Sequence, residues 1–242
     1  IYTDTQRIQV AEGQLIVNEK PLNPYENEEL LKLIHVSVLC NESEVNGHQQ
    51  GEYVVRGSAT ENALIYLAIA SGVNVSDIRE KYPLLKIQHR SENQNFMSTL
   101  HLAYPHHKLV AVKGSPTEVL ERCSWHLKEG EMIALTETDR LAIEGENDRM
   151  AGKALRVLGL AYAHLEAESE GLLEQCAIAS PDIDSQDHHL IWLGLIGMAD
   201  PVRSGVTALM GDFHRAGIDT VMITGDQSPT AYAIGKELHL SN

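Results

Sequence analysis

Apolar residues recur at helical spacing early in the chain. Leu30, Leu33, Ile34 and Val38 follow Asn23-Pro24 at intervals of three and four, as on a helix with one buried face. Leu64, Leu67, Ala68 and Ser71 repeat that pattern, and the ends of this second helix are marked. Ser58-Ala59-Thr60-Glu61 has capping-box spacing, and Gly72 falls at the C′ position. Ahead of both, residues 7–10 and 14–17 alternate around Glu12-Gly13 like a short hairpin. Polar residues 46–51 read as a loop leading into a strand over 52–56. Strands are expected over 96–103 and 108–113, around the turn Tyr104-Pro105-His106-His107. Ser115-Pro116-Thr117-Glu118 opens a further helix: Ser115 suits the N-cap, Pro116 the first helical position, and Glu118 the return half of a capping box. A helix over 139–151 and a buried strand over 155–163 complete this part.

The texture changes near residue 180. Residues 180–189 are polar and include Pro181, as in a linker. After them strand (190–198), helix (202–216), strand (218–224) and helix (229–238) alternate, which is the signature of a parallel sheet. The expected organisation is an α+β domain over 1–189, an antiparallel sheet flanked by helices, followed by an incomplete α/β piece over 190–242.

Composition narrows the function classes. The 242 residues hold 19 Lys plus Arg and 34 Asp plus Glu, so the net charge is 19 − 34 = −15. That balance disfavours nucleic acid as a partner, because phosphate backbones need clustered cations. With 43% hydrophobic and 22% charged residues the chain has globular composition. The apolar run over 191–199 is about half of the roughly 18–20 residues that span a bilayer. No signal peptide opens the chain, and Cys40, Cys123 and Cys176 lie far apart without a CxxC, as in a reducing compartment. The chain starts at Ile1 rather than Met and stops at Asn242 after a helix-like segment, so it reads as a piece of a longer protein.

Several short motifs could carry chemistry. Thr224-Gly225-Asp226 sits where a parallel strand would give way to a helix, the place where open α/β sheets bind ligands; a plain tight turn explains it as well. Lys113-Gly114-Ser115-Pro116 would bring a Lys beside a helix N-terminus, an anion site or an ordinary turn with an exposed Lys. Arg56 to Glu61 repeats that pattern, and there Glu61 could simply close the capping box. Arg156 lies in an apolar strand and needs a carboxylate or a ligand. Twelve histidines include the pairs His106-His107 and His188-His189, but no HxxxH or CxxC spacing supports a metal centre. There is no Walker A loop, GxGxxG or GxSxG.

The order of these motifs is more specific than any one of them. Leu39-Cys40-Asn41, Gly57 through Leu64, Phe96-Met97-Ser98-Thr99, Lys113-Gly114-Ser115-Pro116 with Glu121-Arg122-Cys123, Ala154 through Leu158, Asp200-Pro201-Val202-Arg203, and Met222 through Asp226 with Thr230-Ala231 follow one another along nearly the whole chain. In this the sequence resembles the cytoplasmic nucleotide-binding region of P-type cation-transporting ATPases, with the flavour of the calcium-pump-like branch.

The resemblance implies ATP as ligand, with Mg²⁺. Thr60, Glu61 and Met97 would border the adenine pocket, Lys113 and Gly114 would lie deep in it, and Arg156 would reach the phosphates. Asp200, Pro201 and Arg203 would mark the hinge into a haloacid-dehalogenase-like phosphorylation domain, with Thr224, Gly225 and Asp226 near its catalytic centre. The family's phosphorylated Asp stands in an Asp-Lys-Thr-Gly-Thr motif, which this sequence lacks. The remaining phosphorylation domain and the transmembrane domain of the same polypeptide would be the partners, on the cytoplasmic side of a membrane. Four positions depart from the family pattern, one of them Ser58, where relatives often carry Asp or Glu. Arg90 stands where an aromatic residue stacks on adenine, and Gln94 and Asn95 replace a basic pair. A guanidinium is planar and can stack on a π face, so Arg90 could take over that role, with His89 as another candidate; a solvated Arg90 and a weaker pocket is the alternative. These departures leave open a non-catalytic nucleotide-sensing or interaction module, and Thr224-Gly225-Asp226 leaves open a soluble phosphatase-like enzyme.

Overall fold

The computed structural model describes residues 1–3, 6–11, 13–49, 52–103, 107–166, 190–199, 205–224 and 228–240. It divides into two compact units, Ile1–Arg140 with Leu158–Ile196, and Leu141–Val157 with Gly197–Asn242.

Five short strands open the chain: β1 (Tyr2–Thr3), β2 (Gln6–Arg7), β3 (Gln9–Ala11), β4 (Gln14–Val17) and β5 (Lys20–Pro21). A 3-10 turn at Pro24–Glu26 leads to α1 (Glu28–Leu39). The antiparallel pair β6 (Glu44–Gln49) and β7 (Glu52–Arg56) precedes α2 (Ala59–Ala70) and α3 (Val75–Lys81). Then come β8 (Leu84–Gln88), β9 (Phe96–Ala103), β10 (His107–Gly114), α4 (Pro116–Glu121), β11 (Cys123–Lys128) and β12 (Glu131–Ala134). They are followed by α5 (Glu137–Ala151), β13 (Leu155–Glu166), β14 (Leu190–Ala199), α6 (Val206–Arg215) and α7 (Ser228–Glu237).

The main sheet runs β12-β11-β14-β13-β10-β9-β8, with β1 added to β14 and β2 to β1. Pairing is antiparallel at β8–β9, β9–β10, β10–β13 and β11–β12, and parallel at β11–β14. Helices and antiparallel pairing give the α+β class expected for the first part.

The core forms where the pattern put it. Leu30, Leu33, Ile34 and Val38 of α1 have no solvent exposure, and Leu64, Leu67 and Ala68 of α2 are buried together with Ser71 at its C-cap. Each fully buried Leu or Ile contributes about 2 kcal/mol of transfer free energy. Asn23-Pro24 forms only the 3-10 turn; α1 itself is capped by Asn27, whose Oδ1 accepts the Leu30 N–H at 2.8 Å. At the far end of α2, Gly72 adopts φ +73°, and the Val73 N–H donates to the Ala68 carbonyl at 2.9 Å. That left-handed residue and its bond close the helix as the sequence foretold.

In the second unit Glu146 and Arg149 of α5 pair across one helical turn, and Leu155 and Met150 pack closely around Gly197. The expected strand over 218–224 is not formed. Val221 is 85% exposed and Ile223 95% exposed, and no described backbone pairs with them. Apolar β-branched side chains favour a strand only where a neighbouring strand and a packed face exist. The helices expected over 202–216 and 229–238 are present as α6 and α7.

Candidate functional site

Lys113 and Gly114 end β10, and the groups that meet them come from three other elements. Antiparallel register puts Met97 of β9 opposite Lys113, Phe96 opposite Gly114, and Leu160 of β13 opposite Lys113 on its other side. Cross-strand partners share one face, so Met97, Lys113 and Leu160 form a row. Both Met97 and Lys113 are buried. The Lys113 Nζ donates to Glu61 Oε1 at 2.6 Å.

Glu61 stands in the first turn of α2. Its N–H donates to Ser58 Oγ at 3.3 Å, so that half of the capping box exists. Its carboxylate goes to Lys113 instead of returning to the cap, because a buried ammonium is the more demanding partner. The second expected capping box is replaced as well. Ser115 makes no side-chain cap bond. Glu118 accepts from the Asn95 N–H at 2.9 Å and from Asn95 Nδ2 at 2.5 Å, while the Ser115 N–H donates to the Asn95 carbonyl at 2.8 Å. Both features that suggested an anion site at Lys113-Gly114-Ser115-Pro116, the Lys charge and the leading amide, are therefore engaged within the protein.

Two glycines make the close approaches possible. A Cβ on Gly114 would lie 2.3 Å from Phe96 Cβ and 2.5 Å from the Asn95 carbonyl oxygen, and one on Gly57 would lie 2.2 Å from Ser43 Oγ.

The segment after α1 ties the site to its surroundings. Cys40 Sγ donates to the Met97 carbonyl at 3.4 Å. Burial pushes the Cys40 thiol up to about 11, against the opposing pull of the Lys113 charge. Asn41 Nδ2 donates to the Glu61 carbonyl at 3.0 Å, and its Oδ1 accepts the Ser43 N–H at 2.8 Å. Ser43 Oγ donates to Asn62 Oδ1 at 2.8 Å, and Asn62 Nδ2 to the Gly57 carbonyl at 3.2 Å. Arg79 of α3 completes the hub, donating to the carbonyls of Ser43 (2.8 Å), Asn41 (3.3 Å) and Val38 (3.5 Å). Burial lowers its pKa, and the Glu61 charge opposes that. Arg79 carries no periodic or motif signal in the sequence; Asn41 does, within Leu39-Cys40-Asn41.

Other expected site residues stand as follows. Thr60 is half-buried beside Glu61. Arg90 is exposed in the connection between β8 and β9. In the same connection Gln94 Nε2 donates to the Phe96 carbonyl at 3.2 Å and its Oε1 accepts from Gln88 at 3.4 Å. Gln94 and Asn95 thus shape the turn that leads into β9. His89 lies 3.4 Å from Glu42. Arg156, at the start of β13, and Thr224 are exposed and belong to the second unit. Gly225, Asp226, Asp200, Pro201 and Arg203 lie outside the described residues. Among the described residues no three His, Cys, Asp or Glu side chains converge to hold a metal ion, and no helix is long and apolar enough to cross a membrane.

The sequence that builds this site matches known proteins along most of its length. A family model described as P-type ATPase, cytoplasmic domain N, matches residues 29–205, and the chain belongs to that family. Its relatives include ion pumps named for calcium. A calcium-transporting ATPase of Listeria monocytogenes is 35% identical over 222 residues, covering 92% of this chain and 23% of the relative. A calcium-transporting ATPase of Bacillus subtilis is 28% identical over 228 residues, 94% of this chain and 24% of the relative. A cation-transporting ATPase of Synechocystis is 35% identical over 205 residues, 84% and 21% respectively. The chain spans about a quarter of the length of these relatives.

Proposed function

We propose that this chain binds ATP at the Glu61–Lys113 site and serves as the nucleotide-handling part of a cation-transporting ATPase. The observation that carries the reading is the buried Lys113–Glu61 pair, 2.6 Å apart, facing Met97 at the end of the main sheet in a chain of this family. Thr60, Glu61 and Met97 border the adenine. Lys113 and Gly114 form the base of the pocket, where the existing pair holds the ammonium in place before ligand arrives. Arg156 serves the phosphates, and Arg90 stacks its guanidinium on the exposed face of the ring.

The reaction of the whole protein is transfer of the γ-phosphoryl group to an aspartate, and this sequence has no Asp-Lys-Thr-Gly-Thr motif to supply it. Residues 1–189 are the nucleotide-binding domain, and 190–242 are part of the phosphorylation domain, with Asp200, Pro201 and Arg203 as hinge. Thr224, Gly225 and Asp226 lie near the phosphorylated centre. Mg²⁺ supplies charge neutralisation to the phosphates there. What this chain adds is positioning, the main component of phosphoryl-transfer catalysis. The transported ion is a cation, calcium in the names of the Listeria and Bacillus relatives, and the domain works on the cytoplasmic side of the membrane with the remaining phosphorylation and transmembrane domains as its partners.

Incubation with γ-labelled ATP and Mg²⁺ tests the division of labour. The chain should bind ATP, with no turnover and no acid-stable label; a labelled aspartate within it would overturn the reading. Arg90 is tested by substitution. If it stacks, Arg90→Ala weakens ATP and Arg90→Phe changes affinity little. A neutral Arg90→Ala with an improved Arg90→Phe would instead favour a second reading, a nucleotide sensor with a reduced pocket, which the Arg90, Gln94 and Asn95 departures motivate.

A further inference from the structure

One face of β9 carries a polar row that leads away from the site. Alternation puts Met97, Thr99 and His101 on that face, and the register sets Lys113, Ala111 and Leu109 of β10 opposite them. Thr99 and His101 are both buried. The His101 ring is held at each nitrogen. Nδ1 lies 2.9 Å from the Tyr82 carbonyl at the end of α3, and Nε2 lies 2.9 Å from Thr99 Oγ1. Thr99 Oγ1 in turn lies 3.4 Å from the carbonyl of Leu39, the last residue of α1.

These three contacts share two protons in the neutral ring and three in the charged one. A carbonyl only accepts, so Nδ1 carries a proton in either state. In the neutral ring Nε2 has none and takes the single hydroxyl proton of Thr99, which leaves none for Leu39. The distances match that form: 3.4 Å is long for a hydroxyl–carbonyl bond, whose usual length is about 2.8 Å. In the imidazolium Nε2 becomes a donor to Thr99 Oγ1, and the hydroxyl proton is released toward the Leu39 carbonyl.

Burial lowers the pKa of His101, helped by the Arg79 charge and opposed by the Tyr82 and Leu39 carbonyls, so the neutral ring prevails near neutral pH. At the end of α1 the other titratable group is Cys40, whose thiol burial pushes up to about 11. β8 and β10 present Leu84 and Leu109 at the positions paired with His101. Beyond Leu39, Cys40 donates to the Met97 carbonyl and Asn41 holds the Glu61 carbonyl.

We infer that His101 is a positioning residue for the Glu61–Lys113 site, acting through the Thr99 hydroxyl. Neutral, it withholds that hydroxyl from α1. Protonated, it turns the hydroxyl onto the Leu39 carbonyl and draws the end of α1 toward β9, carrying Asn41 and the Glu61 backbone with it. The neutral arrangement is the one in which Lys113 meets Glu61 at 2.6 Å, so it is the form that receives ligand. Acid therefore weakens binding, by up to about tenfold per pH unit once His101 titrates. The consequence for ligand rests on the nucleotide reading; the coupling from His101 to Glu61 does not.

The test is an NMR titration of the 242-residue chain from neutral pH into the acid range, read at the His101 imidazole and at the amides of Cys40, Asn41 and Glu61. Those amides should follow the His101 titration in wild type and in Thr99→Ser, which keeps the hydroxyl. They should not follow it in Thr99→Val, which keeps the shape and removes the hydroxyl. His101→Asn, whose side-chain N–H can still serve the Tyr82 carbonyl, should fold and should also abolish the response. A merely structural role would lower stability without tying the amide titration to the hydroxyl. Adenosine, which has no phosphate to titrate, is then added at both ends of the pH range. Its affinity should fall with acid in wild type and Thr99→Ser and hold steady in Thr99→Val. Amides that follow His101 in a chain that binds no adenosine would uphold the coupling and sink the nucleotide reading instead. Amides that ignore the His101 titration, or respond equally in Thr99→Val, would overturn the proposal, as would adenosine binding that is indifferent to pH in wild type.

Discussion

Lys113 Nζ and Glu61 Oε1 lie 2.6 Å apart, with side chains only 8% and 14% exposed, so a strand end and the first turn of a helix are joined by a largely buried ion pair. Removing one partner of such a pair strands the other charge. Glu61→Ala or Lys113→Ala should each cost about 3 kcal/mol of stability, and the double variant clearly less than the sum. Urea unfolding of all four proteins gives the coupling, and strict additivity would contradict it.

Arg79 holds three carbonyls, and Asn41 passes that order on to the backbone of Glu61. Arg79→Met leaves carbonyls of the hub unpaired, at about 1–3 kcal/mol for each that stays buried. Arg79→Lys should recover only part of this, since an ammonium cannot reproduce the planar fork. Hydrogen exchange should show the α1–β6 connection and the first turn of α2 loosening together. Loosening confined to α3 would argue against the hub.

Gly114→Ala puts a methyl carbon into Phe96, whose Cβ would be 2.3 Å away. The Phe96 backbone is equally close, so relief requires β9 to move. A loss of about 1–3 kcal/mol is expected, with amide shifts spreading along β9 and the 89–95 connection. A thermal midpoint equal to wild type would contradict the contact.

His35, His101 and His164 all have folded-state pKa values below the usual 6.5. When pH falls through about 6.5 the unfolded chain takes up protons that the folded chain refuses, so stability falls. The contribution is intact above that pH and is lost progressively below it, down to about 4 for His35. Denaturation midpoints followed from neutral pH into that window should decline, and His35→Gln should flatten the slope. A slope unchanged by His35→Gln would contradict the assignment.

Much of the fold was legible because its core elements are strongly periodic. Leu30, Leu33, Ile34 and Val38, the capped helix ending at Gly72, and strands β9 and β10 stood in the pattern of apolar positions. The elements that escaped are those without a buried stripe. All four residues of β12 are exposed, β8 has three exposed residues in five, and α3 buries only Val75. Residues 218–224 erred the other way: an apolar run reads as a strand, but a strand needs a neighbour. At the site, Glu61 and Lys113 were singled out separately, yet 52 residues divide them and no local spacing reveals that they meet. The two capping boxes misled for the same reason, since distant partners, Lys113 and Asn95, outbid the local backbone for Glu61 and Glu118.

The central claim is that the Glu61–Lys113–Met97 face receives the adenosine end of ATP. Its most direct test is an amide chemical-shift titration of the 242-residue chain with ATP, run beside Lys113→Met, which keeps the length of the side chain and removes its charge. Saturable shifts at Glu61, Met97 and Gly114 are expected, with affinity about tenfold weaker in Lys113→Met, the scale of one charged hydrogen bond. Shifts that leave these residues untouched, or equal affinity in the two proteins, would contradict the claim.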